Sequence, residues 1–488
     1  MNLENFTIKT AHEGLIKKQF SCEELTRAYL DKIKQENATY NAFLSLTEEL
    51  ALTQAKKIDE KIAARENIGS LGGIPIAIKD NILVEGYKAT AGSKILEKYT
   101  ATYDATVVEK LKKSGAVILG KTNLDEFAMG SSTENSAFGP AKNPLDITRV
   151  TGGSSGGSAA TIAANQSIVA LGSDTGGSIR QPASFCGIIG FKPSYGMVSR
   201  YGLIAMASSL DQIGTLTKTV DDAKLVFNTI KGKDILDSTT IDSSSIKSST
   251  SGFKNLRVGI PKEYFGEGID SRVKELVEKA IKNFEKIGAK ITETTLPLTE
   301  YSLAVYYIIM PAEASANLAR YDGVKYGYRP KALPTGRQAD QPGAGSSLLD
   351  HYLTVRAQGF GSETRRRIML GTYVLSAGYY EAYYGKAQRI RELIKKEFEK
   401  VFSPSANGFD ILLTPTSPTT AFKIGEKTDP LSMYLSDIYT IPANLAGLPA
   451  ISIPCGKIDN LPAGLQIIGP QFKDDLVLEV AQMYQQVA

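Results

Sequence analysis

Histidine is almost missing from this chain. Its 488 residues include two, His12 and His351. His12 lies in an N-terminal helical pattern, and His351 follows a stretch rich in glycine and proline. Neither sits in a motif that would aim it at a nucleophile, so a Ser-His-Asp triad is not expected. Cysteine is scarce too. Cys22, Cys186 and Cys455 stand far apart and make neither a metal spacing nor a disulfide framework. This usage fits a reducing, cytoplasmic setting. Cys186, in SFCGIIG, reads as a small buried residue rather than a nucleophile. No apolar run approaches the length of a membrane span. The opening MNLENFTIKTAHEG lacks the apolar stretch of a signal peptide. Charge of one sign is not in excess either: 56 basic residues face 52 acidic ones. The net +4 is too small to argue that this chain itself grips nucleic acid.

What is present is concentrated in residues 151–180, TGGSSGGSAATIAANQSIVALGSDTGGSIR. Two Gly-Gly-Ser tripeptides end at Ser154 and Ser178. Glycine lets a backbone turn tightly and approach a ligand. A serine directly after such glycines can expose its hydroxyl and gather backbone N–H groups around it. A serine nucleophile with an oxyanion hole needs both. A pair of Gly/Ser linkers is the plainer alternative. Linkers do not usually alternate with apolar segments, and IVAL (168–171) reads as a buried strand between the two. A phosphate loop is a third reading. It requires a lysine after the glycines, which TGGSSGGSAA lacks, and GxGxxG is absent.

A serine nucleophile needs a base. Lys79 closes GGIPIAIKD (72–80), in which Ile74, Ile76 and Ile78 alternate along a strand. Lysine at its reference pKa of about 10.4 is protonated and cannot serve as a base. Burial beside apolar side chains disfavours the charged form and lowers that value. Lys79 is therefore the candidate base. The competing reading is a surface lysine capping a strand, and taken alone that reading is favoured.

Together, GGIPIAIKD, TGGSSGGSAA and SDTGGSIRQPASFCGIIGFKPSYG resemble the amidase signature family in order, spacing and residue type. The resemblance implies a Ser–Ser–Lys triad with Ser178 as nucleophile, Ser154 as bridging serine and Lys79 as base. It implies a cis peptide bond before Ser154. It implies an oxyanion hole made by the N–H groups of Thr175, Gly176, Gly177 and Ser178. The fold it implies is α/β: one large amidase-signature domain over 1–488, with a mixed, many-stranded central sheet and helices on both faces. Within it, residues 1–66 are N-terminal helices, 67–235 the catalytic core and 253–488 the half that carries the substrate pocket.

The chain pattern is consistent with such a fold. Residues 7–66 read as helices, with a Ser21/Glu24 capping box before Leu25, Tyr29 and Ile33. Residues 104–121 read as helix, glycine stop and strand. The stretch 122–140 reads as a polar loop, placed by the resemblance beside the substrate, with Gly130 and Ser131 as candidate contacts. An ordinary turn-rich loop is the alternative. Helices are expected at 219–230, 272–286, 303–320 and 363–399, and strands at 256–261, 289–296, 409–413, 450–454 and 464–468. The Ser/Thr-rich 237–252 reads as a flexible surface loop. An exposed loop is expected at 328–347, longer than the family usually has.

Three further stretches, PAEASANLARYDG (311–323), RRRIMLGTYVLSAGYYEAYY (365–384) and SDIYTIPANLAGLPAISIPCG (436–456), are similar to the A subunits of aspartyl/glutamyl-tRNA amidotransferases. That resemblance implies glutamine hydrolysis here and transfer of ammonia to a B subunit, with a small C subunit completing a heterotrimer. ATP and Mg²⁺ would act on the partner, tRNA would be held mainly there, and no metal or cofactor is expected in this chain. Glutamine carries an α-carboxylate beside an α-ammonium, so its pocket should offer one cation and one anion. The resemblance points to Arg367, with Arg366 as neighbouring alternative, and to Asp437. Surface ion pairs are the plainer reading of residues 365–367. A stand-alone amidase for a small or aryl amide shares the triad and differs only in pocket and partner surface.

Overall fold

The computed structural model describes residues 1–242, 256–286, 288–330, 347–404 and 408–487. Its strands are β1 (Phe43–Leu46), β2 (Pro75–Lys79), β3 (Val117–Thr122), β4 (Lys142–Asn143), β5 (Asp146–Val150), β6 (Val169–Asp174), β7 (Ile189–Lys192), β8 (Gln212–Thr217), β9 (Arg257–Pro261), β10 (Lys290–Thr294), β11 (Ile411–Pro415), β12 (Ala450–Ile458) and β13 (Leu461–Ile468). Eleven of them form one sheet in the order β1-β3-β2-β6-β8-β7-β12-β13-β11-β9-β10, while β4 and β5 pair separately. The sheet is mixed. β3, β2 and β6 run parallel at one side, and β10, β9 and β11 run parallel at the other. The strands between are antiparallel.

The sequence shows why the sheet is buried. In β2, β3 and β6 every residue is buried, as parallel strands covered by helices on both faces require. The N-terminal helices Cys22–Tyr40 and Glu48–Ala63 pack on one side. The first starts at the expected capping box: Ser21 Oγ accepts from Glu24 N, and Glu24 Oε2 accepts from Ser21 N at 2.7 Å. A second apolar cluster, including Tyr306, Met310, Phe398 and Leu412, surrounds helix Ser302–Leu318.

Two expectations need correction. The single helix at 363–399 is two, Ser362–Val374 and Lys386–Phe402, joined through a π-helical turn at Glu381–Gly385. Gly378, with φ +86°, ends the continuity between them. The stretch 7–66 is not helical throughout: β1 lies within it and pairs with β3. The polar loop at 122–140 is buried over its first half, residues 122–133. Most of the Ser/Thr-rich stretch, 243–252, and the expected long loop at 331–346 lie outside the described residues.

The parallel register positions the site. Ile78 of β2 pairs with Leu171 of β6, so both strands end on the same edge. Lys79 is the last residue of β2, and Asp174 the last of β6. Ligand sites of α/β sheets lie outside such carboxyl ends.

Candidate active site

Lys79 is fully buried. Its Nζ lies 2.8 Å from Ser154 Oγ, 2.8 Å from Ser155 Oγ, 2.9 Å from Ser173 Oγ and 3.2 Å from Ser173 O. No carboxylate is within ion-pair distance of Nζ among the described residues, unlike Lys121, whose Nζ is 3.1 Å from Asp80 Oδ1. Burial therefore lowers the Lys79 pKa to about 7, against the more distant pull of Asp125, Asp174 and Asp211.

The three hydroxyls around Lys79 differ. Ser155 Oγ can donate to Ser173 O at 3.1 Å, and Ser173 Oγ accepts from Asn81 Nδ2 at 3.0 Å. The hydrogen bond of Ser154 Oγ to Lys79 is its single one among the described residues. Ser154 is thus the hydroxyl left to exchange a proton with Lys79. It follows a cis peptide bond, Gly153–Ser154. Gln181 anchors that turn: its Oε1 accepts from Gly153 N at 3.0 Å and its Nε2 donates to Ser131 O at 2.8 Å.

Ser178 lies in the loop between β6 and helix Arg180–Cys186, and is 6% exposed. Ser155 N donates to Ser178 O at 3.1 Å, which ties the two serine loops together. No direct hydrogen bond joins Ser178 Oγ to Ser154 Oγ among the described residues. Links of this kind often close only in the Michaelis complex.

The loop is held from below by a buried ion pair. Asp174 accepts from Gly177 N at 2.9 Å, Ile179 N at 3.1 Å, Arg180 Nε and Nη2 at 3.1 Å, and Asn444 Nδ2 at 2.9 Å. Burial would raise its carboxyl, but Arg180 and these donors outweigh it and hold the group at about 2. Gly177 N–H is thereby engaged, whereas the N–H groups of Thr175, Gly176 and Ser178 make no hydrogen bond among the described residues. Three of the four expected oxyanion donors remain available. Gly177 has φ +146°, and a Cβ there would collide with Thr440 and lie 3.2 Å from Asp437 Oδ1. A Cβ on Gly176 would lie 2.8 Å from the Tyr306 hydroxyl. Both glycines are required for close packing.

The remaining sequence-named residues fall around this loop. Ser131 Oγ donates to Asp437 Oδ2, and Oδ1 of Asp437 is buried without a partner among the described residues. Burial raises the Asp437 carboxyl to about 7, against the Ser131 hydrogen bond. Gly130 packs against the buried carboxylate of Asp125, which also lies against Gly153. Arg366 and Arg367 separate cleanly. The Arg366 side chain is 44% exposed and that of Arg367 3%. Surface ion pairing therefore describes Arg366, not Arg367. Arg367 acts electrostatically on Asp437, Tyr306 and Asp125, all packed against the serine loops or their supports.

Sequence reasoning missed Ser155, Ser173, Asp174, Arg180, Gln181 and Tyr306. For Asp174 and Arg180 there was a signal: an acid and a base flank the glycines of SDTGGSIR. A cavity of 1420 Å³ lies apart, lined by residues such as Lys98, Tyr103, Arg320 and Tyr326, and includes none of the residues above.

The sequence profile of the amidase family matches residues 24–478. The chain is 55% identical to the A subunit of glutamyl-tRNA(Gln) amidotransferase from Thermoanaerobacter pseudethanolicus, over all of this chain and 97% of the relative. It is 54% identical to the protein of that name from Carboxydothermus hydrogenoformans, over 100% and 98%. Among solved structures, the A subunit of glutamyl-tRNA(Gln) amidotransferase from Thermotoga maritima matches with TM-score 0.78 and 45% identity, over 99% of this chain and 94% of that one. A peptide amidase solved with the inhibitor chymostatin matches with TM-score 0.80 and 28% identity, over 99% and 97%. With the profile spanning nearly the whole chain and the relatives its full length, the chain belongs to the amidase family.

Proposed function

We propose that this chain is the glutamine-hydrolysing A subunit of a glutamyl-tRNA(Gln) amidotransferase. Its full-length identity to relatives of that name supports the assignment. The observation that carries the chemistry is the buried Lys79, enclosed by serine hydroxyls and free of a carboxylate partner among the described residues. In this reading residues 67–235 carry the reaction and 253–488 contribute the pocket.

Neutral Lys79 accepts a proton from Ser154, and Ser154 takes one from Ser178 as its Oγ attacks the side-chain amide carbon of glutamine. The N–H groups of Thr175, Gly176 and Ser178 hold the oxyanion; losing one such donor typically costs about 3–4 kcal/mol of barrier. Protonated Lys79 returns the proton through Ser154 to the leaving nitrogen, and ammonia departs. Water then hydrolyses the glutamyl ester on Ser178 to glutamate. Asp437 faces the α-ammonium and Arg367 the α-carboxylate, with Ser131 orienting Asp437.

Ammonia passes to a B subunit, where ATP and Mg²⁺ activate the carboxylate of Glu-tRNA(Gln), and of Asp-tRNA(Asn) where the complex accepts it. A C subunit completes the heterotrimer, in the cytoplasm. No helix of the described residues is long and apolar enough to cross a membrane. The test is Ser178→Ala in the assembled complex. Glutamine hydrolysis should be lost while amidation from added ammonia survives. Loss of both in an intact complex would contradict this division of labour.

A further inference from the structure

Arg367 and Asp437 pose a problem for a pocket that must stay open. A buried cation and a buried anion that influence one another electrostatically would satisfy each other by pairing. A directly paired site would have no charge left for a zwitterion. Yet no ion pair within 4.0 Å joins Arg367 to Asp437 among the described residues. Arg367 is bound elsewhere.

Three side chains hold it. Its Nε donates to Glu363 Oε1 at 2.8 Å, one helical turn earlier on Ser362–Val374. Its guanidinium carbon lies 5.3 Å from the Tyr307 ring centre and 5.4 Å from that of Tyr434. Those rings stack on one another, with centroids 3.9 Å apart. Tyr434 also donates its hydroxyl to Glu363 Oε1 at 2.8 Å, so the acid and the ring are locked together. Among the described residues the one hydrogen bond of Nη1 is to Met310 Sδ at 3.7 Å, and a thioether is a weak acceptor. Nη2 makes no hydrogen bond among the described residues. The Nη1/Nη2 end of the fork is thus the end that a carboxylate can take in bidentate fashion.

The helix itself is fixed at its start. Glu126 Oε2 accepts from Gly361 N at 2.7 Å, and Glu126 Oε1 accepts from Ser93 Oγ. Glu126 belongs to the same buried segment as Ser131, the partner of Asp437. The two charged ends of the pocket therefore share one support.

We propose that Glu363, Tyr307 and Tyr434 are positioning residues for substrate specificity: they clamp the Arg367 guanidinium away from Asp437, with its Nη1/Nη2 end free for the α-carboxylate of an amino-acid amide. The proposal rests on the reading that Arg367 receives that carboxylate. Glu363 supplies the counter-charge that makes burial of Arg367 tolerable. The tyrosine faces add cation–π attraction and set the plane of the fork.

The experiment compares glutamine with butyramide, which has the same reacting amide and neither α-group, using the assembled complex. Arg367→Met tests the underlying reading. It should raise KM for glutamine at least tenfold and leave butyramide kcat/KM within twofold. Glu363→Ala should show the same split, about tenfold in glutamine KM. Tyr434→Phe, which keeps the ring and loses the bond to Glu363, should raise glutamine KM about two- to threefold. Glu363→Gln, which keeps an acceptor for Nε but loses the counter-charge, should recover part of the Glu363→Ala loss. If Glu363→Ala does not assemble, Tyr434→Ala carries the test with the same expected split. An Arg367→Met enzyme with unchanged glutamine KM overturns the carboxylate reading, and the clamp with it. If Arg367→Met shows the split but Glu363→Ala leaves glutamine KM unchanged, or depresses both substrates alike, the clamp alone is overturned.

Discussion

The proposed serine–lysine relay and the proposed charged pocket beside it bury their cations in opposite ways. The relay comes from strand ends and the loops next to them, all between residues 79 and 178. Its lysine is buried with no carboxylate at ion-pair distance among the described residues, and desolvation brings it to about 7. The proposed pocket draws on Ser131, Arg367 and Asp437, on segments far apart in sequence. Its arginine is buried with a carboxylate, two tyrosine faces and a fixed charge. Burial without a partner yields a group that can gain and lose a proton near neutral pH. Burial with a partner yields a charge that never changes and can only recognise.

The sharpest way to break this comparison is to give the relay a pocket-type cation. Lys79→Arg retains positive charge but cannot become neutral at working pH. Glutamine hydrolysis should fall by roughly 10²–10⁴-fold, the usual share of a general base, and to the same level as in Lys79→Ala. Substantial activity in the arginine variant would mean that Lys79 is only a fixed charge, and the two regions would not differ in kind.

The next effect lies in the pocket. Asp437→Asn keeps the shape and the Ser131 contact but removes the charge. It should raise KM for glutamine by about an order of magnitude, roughly 1.4 kcal/mol, and leave butyramide hydrolysis nearly unchanged. Equal losses for both substrates would make Asp437 structural.

The sequence showed these two regions unequally, for a physical reason. Lys79, Ser154 and Ser178 sit in motifs whose glycines and alternating isoleucines declare their backbone. Their meeting depends on one parallel register, which an α/β pattern largely implies. Arg367 and Arg366 are neighbours in the same charged run, and nothing local distinguishes them. Packing of their helix against Ser302–Leu318 turns one inward and leaves the other in solvent. The clamp on Arg367 joins Tyr307, Glu363 and Tyr434 from three segments, and no spacing rule connects them. The break between Val374 and Lys386 lies in a tyrosine-rich stretch with no proline to stop a helix. Gly378 was the one local sign of it.

A smaller effect concerns pH. Both Lys79 and Asp437 sit near 7, one needing to lose a proton to act as base and the other needing to lose one to meet an ammonium. For kcat/KM the free-enzyme ionisations count. Glutamine activity should rise with pH through about 7, with an acid limb reflecting two deprotonations. For butyramide the limb should reflect one, that of Lys79. In Asp437→Asn the two profiles should have the same slope. Identical slopes for both substrates in the unmodified protein would mean that Asp437 does not govern recognition of the amine.

The central claim is that burial without a counter-ion leaves Lys79 neutral at working pH. It is tested most directly by NMR titration of the protein carrying ¹³C-labelled lysine, with the Lys79 Cε signal assigned from its absence in Lys79→Arg. A midpoint at about 7 is expected. A midpoint near the usual lysine value of about 10.4 would contradict it.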